Sequence, residues 1–216
     1  RTGANSLSLS TIGTVNLAGV FSGALSVTGS AITLNNDITT SGSQSYTGPV
    51  ALAANITLDS TAISSNGAVG FSSTVNSATS TARNLNVTAG SGNVTFTGAV
   101  GNTNALGAIA IDTTGTTTFS STVNASSLTT NTGGTTSLGG NVTTSGALTL
   151  NDAVVLAASV VLDASSITTA NTIAAANYNL TLVSDALALG AAVNGGTGTI
   201  TIKPRTATIS IGLGDA

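Results

Sequence analysis

Apolar residues in this chain return at every second position rather than at helical spacing. Leu7-Ser8-Leu9, Leu25-Ser26-Val27, Ile32-Thr33-Leu34 and Ile56-Thr57-Leu58 show the pattern early. Leu85-Asn86-Val87, Val94-Thr95-Phe96, Ile109-Ala110-Ile111 and Leu148-Thr149-Leu150 continue it. Leu180-Thr181-Leu182, Ile200-Thr201-Ile202 and Ile209-Ser210-Ile211 carry it to the end. Each predicts a short strand with one buried face. Gly, Asn, Asp and Ser fall between the runs and supply turn chemistry. Thr, the commonest residue with 40 copies, is β-branched and suits strands. Only Thr172 to Tyr178 has helical potential, and it is too short to count as a helix.

Repeats then constrain the architecture. Phe71-Ser-Ser-Thr-Val-Asn76 recurs unchanged as Phe119-Ser-Ser-Thr-Val-Asn124, with a looser copy, Phe96-Thr-Gly-Ala-Val100, between them. The three Phe are 25 and 23 residues apart. Thr33 to Ser65 also aligns on Ser137 to Thr169 at an offset of 104, sharing Thr-Thr-Ser-Gly at 39–42 and 143–146. Within these copies Leu34, Tyr46, Leu58 and Phe71 lie 12, 12 and 13 apart, and Leu138, Leu150 and Leu162 repeat at 12. The predicted unit is therefore about two dozen residues, split into halves of about twelve.

A strand-and-turn unit repeated along one chain predicts an all-β parallel β-helix, a β-solenoid, spanning 1–216 as a single segment. Coils stack at about 4.8 Å, so about nine of them make a rod roughly 45 Å long. Phe71 and Phe119 are expected at equivalent inward positions two coils apart. A tandem of β-sandwich modules is the competitor. It needs about 100 residues per module and a larger core than four Phe and two Tyr provide.

Composition closes off several functions. The chain has no His, Cys, Met, Trp or Glu, and only 5% of its residues are charged. Zinc, haem and iron–sulfur sites lose their usual ligands. A Ser-His-Asp or Cys-His unit cannot be built, and no disulfide framework exists. Four Lys and Arg are too few to neutralise a nucleic acid backbone. A mean hydropathy of +0.43 with a net charge of −3 argues against disorder. Polar residues interrupt every apolar run, so no membrane span is predicted. The chain starts at Arg1 with no visible signal peptide, which suggests a processed chain or a piece of a longer one.

The phrase Thr39-Thr-Ser-Gly-Ser-Gln-Ser-Tyr-Thr-Gly-Pro-Val-Ala-Leu52, followed by Ile56-Thr-Leu58, resembles the repeat of giant exported bacterial β-strand-repeat proteins. These are the filamentous-haemagglutinin-like adhesins. Gly115 to Asn124 and Leu182 to Leu189 are similar to the same family. The resemblance spans nearly the whole chain, but its motifs are degenerate. It implies a right-handed parallel β-helix, export to the cell surface, and adhesion or a matrix role. It assigns no functional residue, and the family's amino-terminal secretion domain is not recognisable.

The residues themselves offer few candidate sites. The seven Asp are Asp37, Asp59, Asp112, Asp152, Asp163, Asp185 and Asp215. A polysaccharide-cleaving solenoid needs paired carboxylates. Asp152 and Asp163, 11 apart, are the closest pair and could lie on neighbouring turns, but the repeat copy has Gly48 and Asp59. Turn residues bonding their own nearby backbone are the preferred reading. Gly195-Gly-Thr-Gly-Thr-Ile200 approaches a calcium-binding repeat but has Ile200 where the carboxylate belongs, so a plain glycine turn is predicted. Thr-x-Thr pairs at 79–81, 95–97, 116–118, 199–201 and 206–208 do not hold one coil period, which disfavours an ice-binding array. The six Asn-x-Ser/Thr sequons, at Asn55, Asn86, Asn93, Asn124, Asn141 and Asn179, match the number expected by chance. Stacked Asn ladders inside the coils are the more physical use. Lys203-Pro-Arg205 is expected to be a solvated turn at a strand break.

No catalytic, cofactor-binding or metal residue is therefore assigned, and no enzyme is expected. The function expected is a rod or stalk segment of a bacterial surface adhesin or extracellular matrix protein. The alternative is a self-assembling subunit of an extracellular filament or sheath. Partners are further coils of the same chain or identical subunits end to end, together with host or surface glycans or proteins. Neither terminus shows a helical cap, and low charge opposes stacking only weakly. The segment is therefore expected to continue into further coils or to pack end to end.

Overall fold

The computed structural model describes residues 6–62 and 66–210. Among the described residues twenty-five strands, β1 to β25 in chain order, all pair in parallel. No α-helix occurs among the described residues. Thr172 to Tyr178 holds the two-residue β21 (Ile173–Ala174) and a turn. The strands form three faces of one solenoid, and each coil visits the faces in the same order.

The first face is a ten-stranded sheet. It runs through β1 (Leu7–Ser10), β3 (Leu25–Thr28), β5 (Gln44–Thr47), β8 (Val69–Phe71) and β11 (Val94–Phe96). It continues through β13 (Thr116–Phe119), β15 (Thr135–Leu138), β18 (Ala153–Leu156), β21 and β24 (Val193–Asn194). The other two faces share one fifteen-stranded sheet, because β2 (Thr14–Phe21), β4 (Ala31–Thr40) and β14 (Val123–Thr130) run through both. The second face includes β6 (Val50–Leu52), β9 (Val75–Ser77), β16 (Val142–Thr144), β19 (Val160–Asp163), β22 (Leu180–Val183) and β25 (Ile200–Lys203). The third includes β7 (Ile56–Asp59), β10 (Leu85–Gly90), β12 (Leu106–Thr113), β17 (Ala147–Leu150), β20 (Ser166–Thr169) and β23 (Ala186–Leu189).

The coil length follows from the register of the first face. Leu7, Leu25, Gln44, Val69, Val94, Thr117, Thr136, Val154, Ile173 and Val193 occupy one inward row. Successive members are 18 to 25 residues apart. The predicted two dozen holds only for the three coils between Gln44 and Thr117, and the others need 18 to 20. The excess sits in corner loops such as 78–84 and 101–105.

The core is built of side-chain rows running along the axis. Tyr46, Phe71, Phe96 and Phe119 are buried on the first face and stack ring on ring. Their centroids are 5.1, 4.9 and 4.9 Å apart, with interplanar angles of 14°, 9° and 7°. Phe71 and Phe119 are thus equivalent, two coils apart, as the hexapeptide predicts, and the looser copy is the coil between. Val75, Val100 and Val123, the other inward residues of the three copies, align on the second face. On the third face Ile56, Leu85, Ile109, Leu128, Leu148, Ile167 and Leu187 form another row.

The duplication at offset 104 is not a coil repeat. Leu34 lies on the second face, whereas its aligned partner Leu138 lies on the first. The twelve-residue half-period likewise mixes faces: Leu34 pairs with Leu52, not with Leu58. What the two copies share is a corner. In Thr-Thr-Ser-Gly, buried Thr40 Oγ1 donates to the Gly42 carbonyl at 2.6 Å, and buried Thr144 Oγ1 donates to the Gly146 carbonyl at 3.0 Å. The first leads from the third face to the first face, and the second from the second face to the third. A local hydroxyl-to-carbonyl bond satisfies the buried Thr at either place.

A glycine row marks the corner before the first face. Gly42, Gly67, Gly92, Gly115 and Gly134 each precede the first inward residue by two positions. A Cβ on Gly67 would strike the Gly42 backbone, and one on Gly92 the Gly67 carbonyl. Backbone lies against backbone here, and only hydrogen fits between. The predicted strand Ile209-Ser210-Ile211 does not form over Ile209 and Ser210, and Ile211 lies outside the described residues. Pro204 follows β25 directly, where a residue without an N–H ends the ladder.

Candidate functional site

The polar side chains with most to offer chemically sit at the corners. Six of the seven candidate Asp fall in the described residues, and Asp215 lies outside them. Asp59 behaves as a turn residue, accepting from the N–H and hydroxyl of Thr61 at 2.8 and 2.6 Å. The others bond to other coils instead, Asp163 to a residue two coils on. Asp37 accepts from the Thr57 N–H at 2.7 Å, and Asp112 from the Asn131 amide at 2.9 Å. The cause is simple: the next coil, at about 4.8 Å, is as near as the residue two further along the chain.

Asp152 and Asp163 belong to one coil but stand at different corners, so the carboxylate pairing considered from their spacing is not assembled. Asp152 takes the place of glycine in the corner row and is fully buried. It accepts from the Gly134 N–H at 2.8 Å and the Thr136 hydroxyl at 3.2 Å. Burial raises its pKa above the usual carboxylate value, against the opposing pull of those two bonds.

Lys203-Pro-Arg205 is more than a solvated turn. Arg205 Nε lies 3.0 Å from Asp163 Oδ1, and its Nη1 donates to the Ser145 carbonyl at 3.3 Å. Its backbone N–H donates to Asp185 at 2.9 Å. Ser145, Asp163, Asp185 and Arg205 occupy the same corner of four consecutive coils. Asp185 also accepts from the Thr206 hydroxyl and N–H at 2.7 and 2.8 Å, and these bonds lower its pKa. Sequence reasoning missed this cluster because Asp163 and Arg205 are 42 residues apart and no short motif joins them.

The Asn residues also differ from expectation. Among the described residues they do not form amide ladders inside the coils. Several of their Oδ1 atoms instead stand in for backbone carbonyls at the corners and accept N–H bonds from the following coil. Asn55 accepts from Asn84 at 3.0 Å, and Asn84 from Ala108 at 2.8 Å. Asn93 accepts from Thr116 at 2.9 Å, Asn141 from Val161 at 2.8 Å and Asn179 from Thr199 at 2.9 Å. Each of these Asn directly precedes an inward Ile, Leu or Val, a legible signature that the sequon reading passed over.

Gly195 to Ile200 forms a turn, with the Gly198 N–H donating to the Gly195 carbonyl at 3.0 Å and Gly196 at a φ of +59°. The Thr-x-Thr pairs scatter. Thr116 and Thr118 project from the first face, 79–81 lies in a loop, and 206–208 follows the last strand. Among the described residues no group of three or more acidic, His or Cys side chains could hold a metal ion. No described helix is long and apolar enough to cross a membrane. The class of protein defined by this architecture is a parallel β-solenoid. No protein family, curated protein or solved structure matches the chain.

Proposed function

We propose that the chain is a rod or stalk segment of a bacterial cell-surface adhesin or extracellular matrix protein, acting outside the cell and without catalysis. The observation that carries this reading is the filling of the ten-coil stack by continuous rows, such as Tyr46, Phe71, Phe96 and Phe119. A stack filled along its axis and closed by inter-coil N–H···O bonds resists bending and sets a distance. Its product is geometry: about 4.8 Å of reach per coil. Recognition of host or surface glycans or proteins would fall to the longer corners, 78–84 and 101–105, since loops on a rigid scaffold are where binding residues collect.

The second reading is an extracellular filament subunit. It is favoured by partly exposed apolar side chains at the first and last coils described, Leu7, Leu9 and Ile200, which a further coil would cover. That coil could come from the same chain or from an identical copy. Electron microscopy of the native material, with antibody labelling of this segment, tests both readings. Thin rods projecting from the cell surface support the first, and uniform fibres free of the cell support the second. Label confined to the cytoplasm refutes both.

A further inference from the structure

The first face carries no charge on its outward side. One outward residue per coil lines its middle, from Ser26 on the second coil to Asn194 on the tenth, and each is a Ser, Thr, Gly, Val, Ala or Asn. Among the described residues, every charged side chain except buried Asp152 belongs to the second or third face or to the corner between them. Two copies of the chain, each of net charge −3, can therefore meet on the first face without opposing like charges.

The row is not level. Val155, on the eighth coil, is 38% exposed. Among the described residues it is the only large apolar side chain exposed on this face beyond the first coil. Gly70, on the fourth coil, has no side chain, and a Cβ there would meet nothing within 4 Å. The row thus holds a knob and a notch four coils apart, with Thr118 on the sixth coil midway between them. We propose that the first face is a docking surface for a second copy of this chain, packed face to face with its coil order reversed, so that Val155 of each copy enters the Gly70 notch of the other.

A two-fold axis parallel to the strands and level with Thr118 makes both contacts at once, as an isologous interface requires. The same operation sets Thr95 against Ser137, hydroxyl to hydroxyl, and Thr118 against its own copy. With the coils in the same order instead, the two Val155 side chains would collide and both notches would stay empty, a loss of packing on either count. Knob and notch match under one symmetry operation of the face on itself, which is what favours a second copy over a glycan or an unrelated protein.

The area is sufficient. The second to tenth coils overlap, nine at about 4.8 Å, across roughly 15 Å of strand, which gives on the order of 650 Å² per partner. The total of roughly 1,300 Å² lies near the low end of the range of about 1,200–2,000 Å² for specific interfaces. The dimer is therefore a weak one that forms at high concentration. Its contact is lateral, so it does not depend on what covers either end of the stack, and it stands apart from both readings of the function.

The test is sedimentation equilibrium of the full chain from micromolar to millimolar concentration, with circular dichroism to show that each variant is folded. The association should stop at a dimer. Val155→Lys should weaken it at least about tenfold, because symmetry places the unpaired charge in the interface twice. Gly70→Val fills the notch and should also weaken it, and adding Val155→Gly to that variant should restore it. Thr168→Lys, on the third face, should leave it unchanged. The chain has no Cys, so mild oxidation of Thr118→Cys should give a disulfide between copies, whereas Ser26→Cys, which faces Asn194, should not. A chain that stays monomeric throughout overturns the proposal. So does association that Val155→Lys leaves unchanged, as end-to-end packing predicts, or Ser26→Cys cross-linking as readily as Thr118→Cys.

Discussion

Phe96 stands between two rings, Phe71 and Phe119, each with its centroid 4.9 Å away, and is fully buried. Phe119 ends the ring stack, and its next neighbour in the row is Leu138. Leucine therefore already fits this row, and Phe→Leu removes ring contacts while keeping an apolar side chain in place. Each stacked pair contributes about 0.5–1.5 kcal/mol beyond the area it buries. Phe96→Leu loses two pairs, about 1–3 kcal/mol, and Phe119→Leu loses one, about half as much. Phe96→Ala, which also opens a cavity, should cost about 3–5 kcal/mol. Urea unfolding followed by far-ultraviolet circular dichroism gives the order directly. The reasoning fails if Phe119→Leu costs as much as Phe96→Leu, because the number of ring neighbours would then not set the loss.

Other outcomes follow from the corners. Gly92→Ala drives a methyl into the Gly67 carbonyl and should cost more than about 2 kcal/mol, whereas Gly70→Ala points into open space and should cost under about 1 kcal/mol in a thermal melt. Asp152 has a raised folded pKa, so its protonated form favours folding, and stability is lost as pH rises from the unfolded carboxylate value through the folded one. That slope is at most about 1.4 kcal/mol per pH unit, and Asp152→Asn should remove it from the pH dependence of the melt. Asp185 has the opposite sign: its contribution is present above the unfolded value and is lost as pH falls through the lowered one. Arg205→Gln should cost under about 1 kcal/mol, because the pair with Asp163 is about one-third exposed, and should speed amide exchange in β25 at low salt but not at high salt.

Much of the fold was legible because it rests on alternation. Phe71 and Phe119 announced their own register, since identical following residues fix which strand each belongs to, and the looser copy at Phe96 marks the coil between. The coil length was harder to read. Corners built alike at different faces, as at Thr40 and Thr144, give sequence similarity without structural equivalence. Buried Thr117, Thr136 and Thr169 were invisible as core, because a hydroxyl looks polar in sequence whichever way the strand faces. The glycine row from Gly42 to Gly134 and the Asn residues preceding inward aliphatics were readable signals that period-two counting does not weigh. The Asp163, Asp185 and Arg205 cluster depended on stacking across coils and had no local trace.

The solenoid itself is tested most directly by distances along its axis. Ser26, Thr118, Val155 and Asn194 share one outward row on the second, sixth, eighth and tenth coils. The chain has no Cys, so pairs of introduced cysteines can carry spin labels without background. Pulsed electron paramagnetic resonance should place 26–118, 26–155 and 26–194 about 19, 29 and 38 Å apart, in proportion to four, six and eight coils at about 4.8 Å. Distances that do not grow with coil number, above all a 26–194 separation no longer than 26–118, would contradict the parallel β-solenoid.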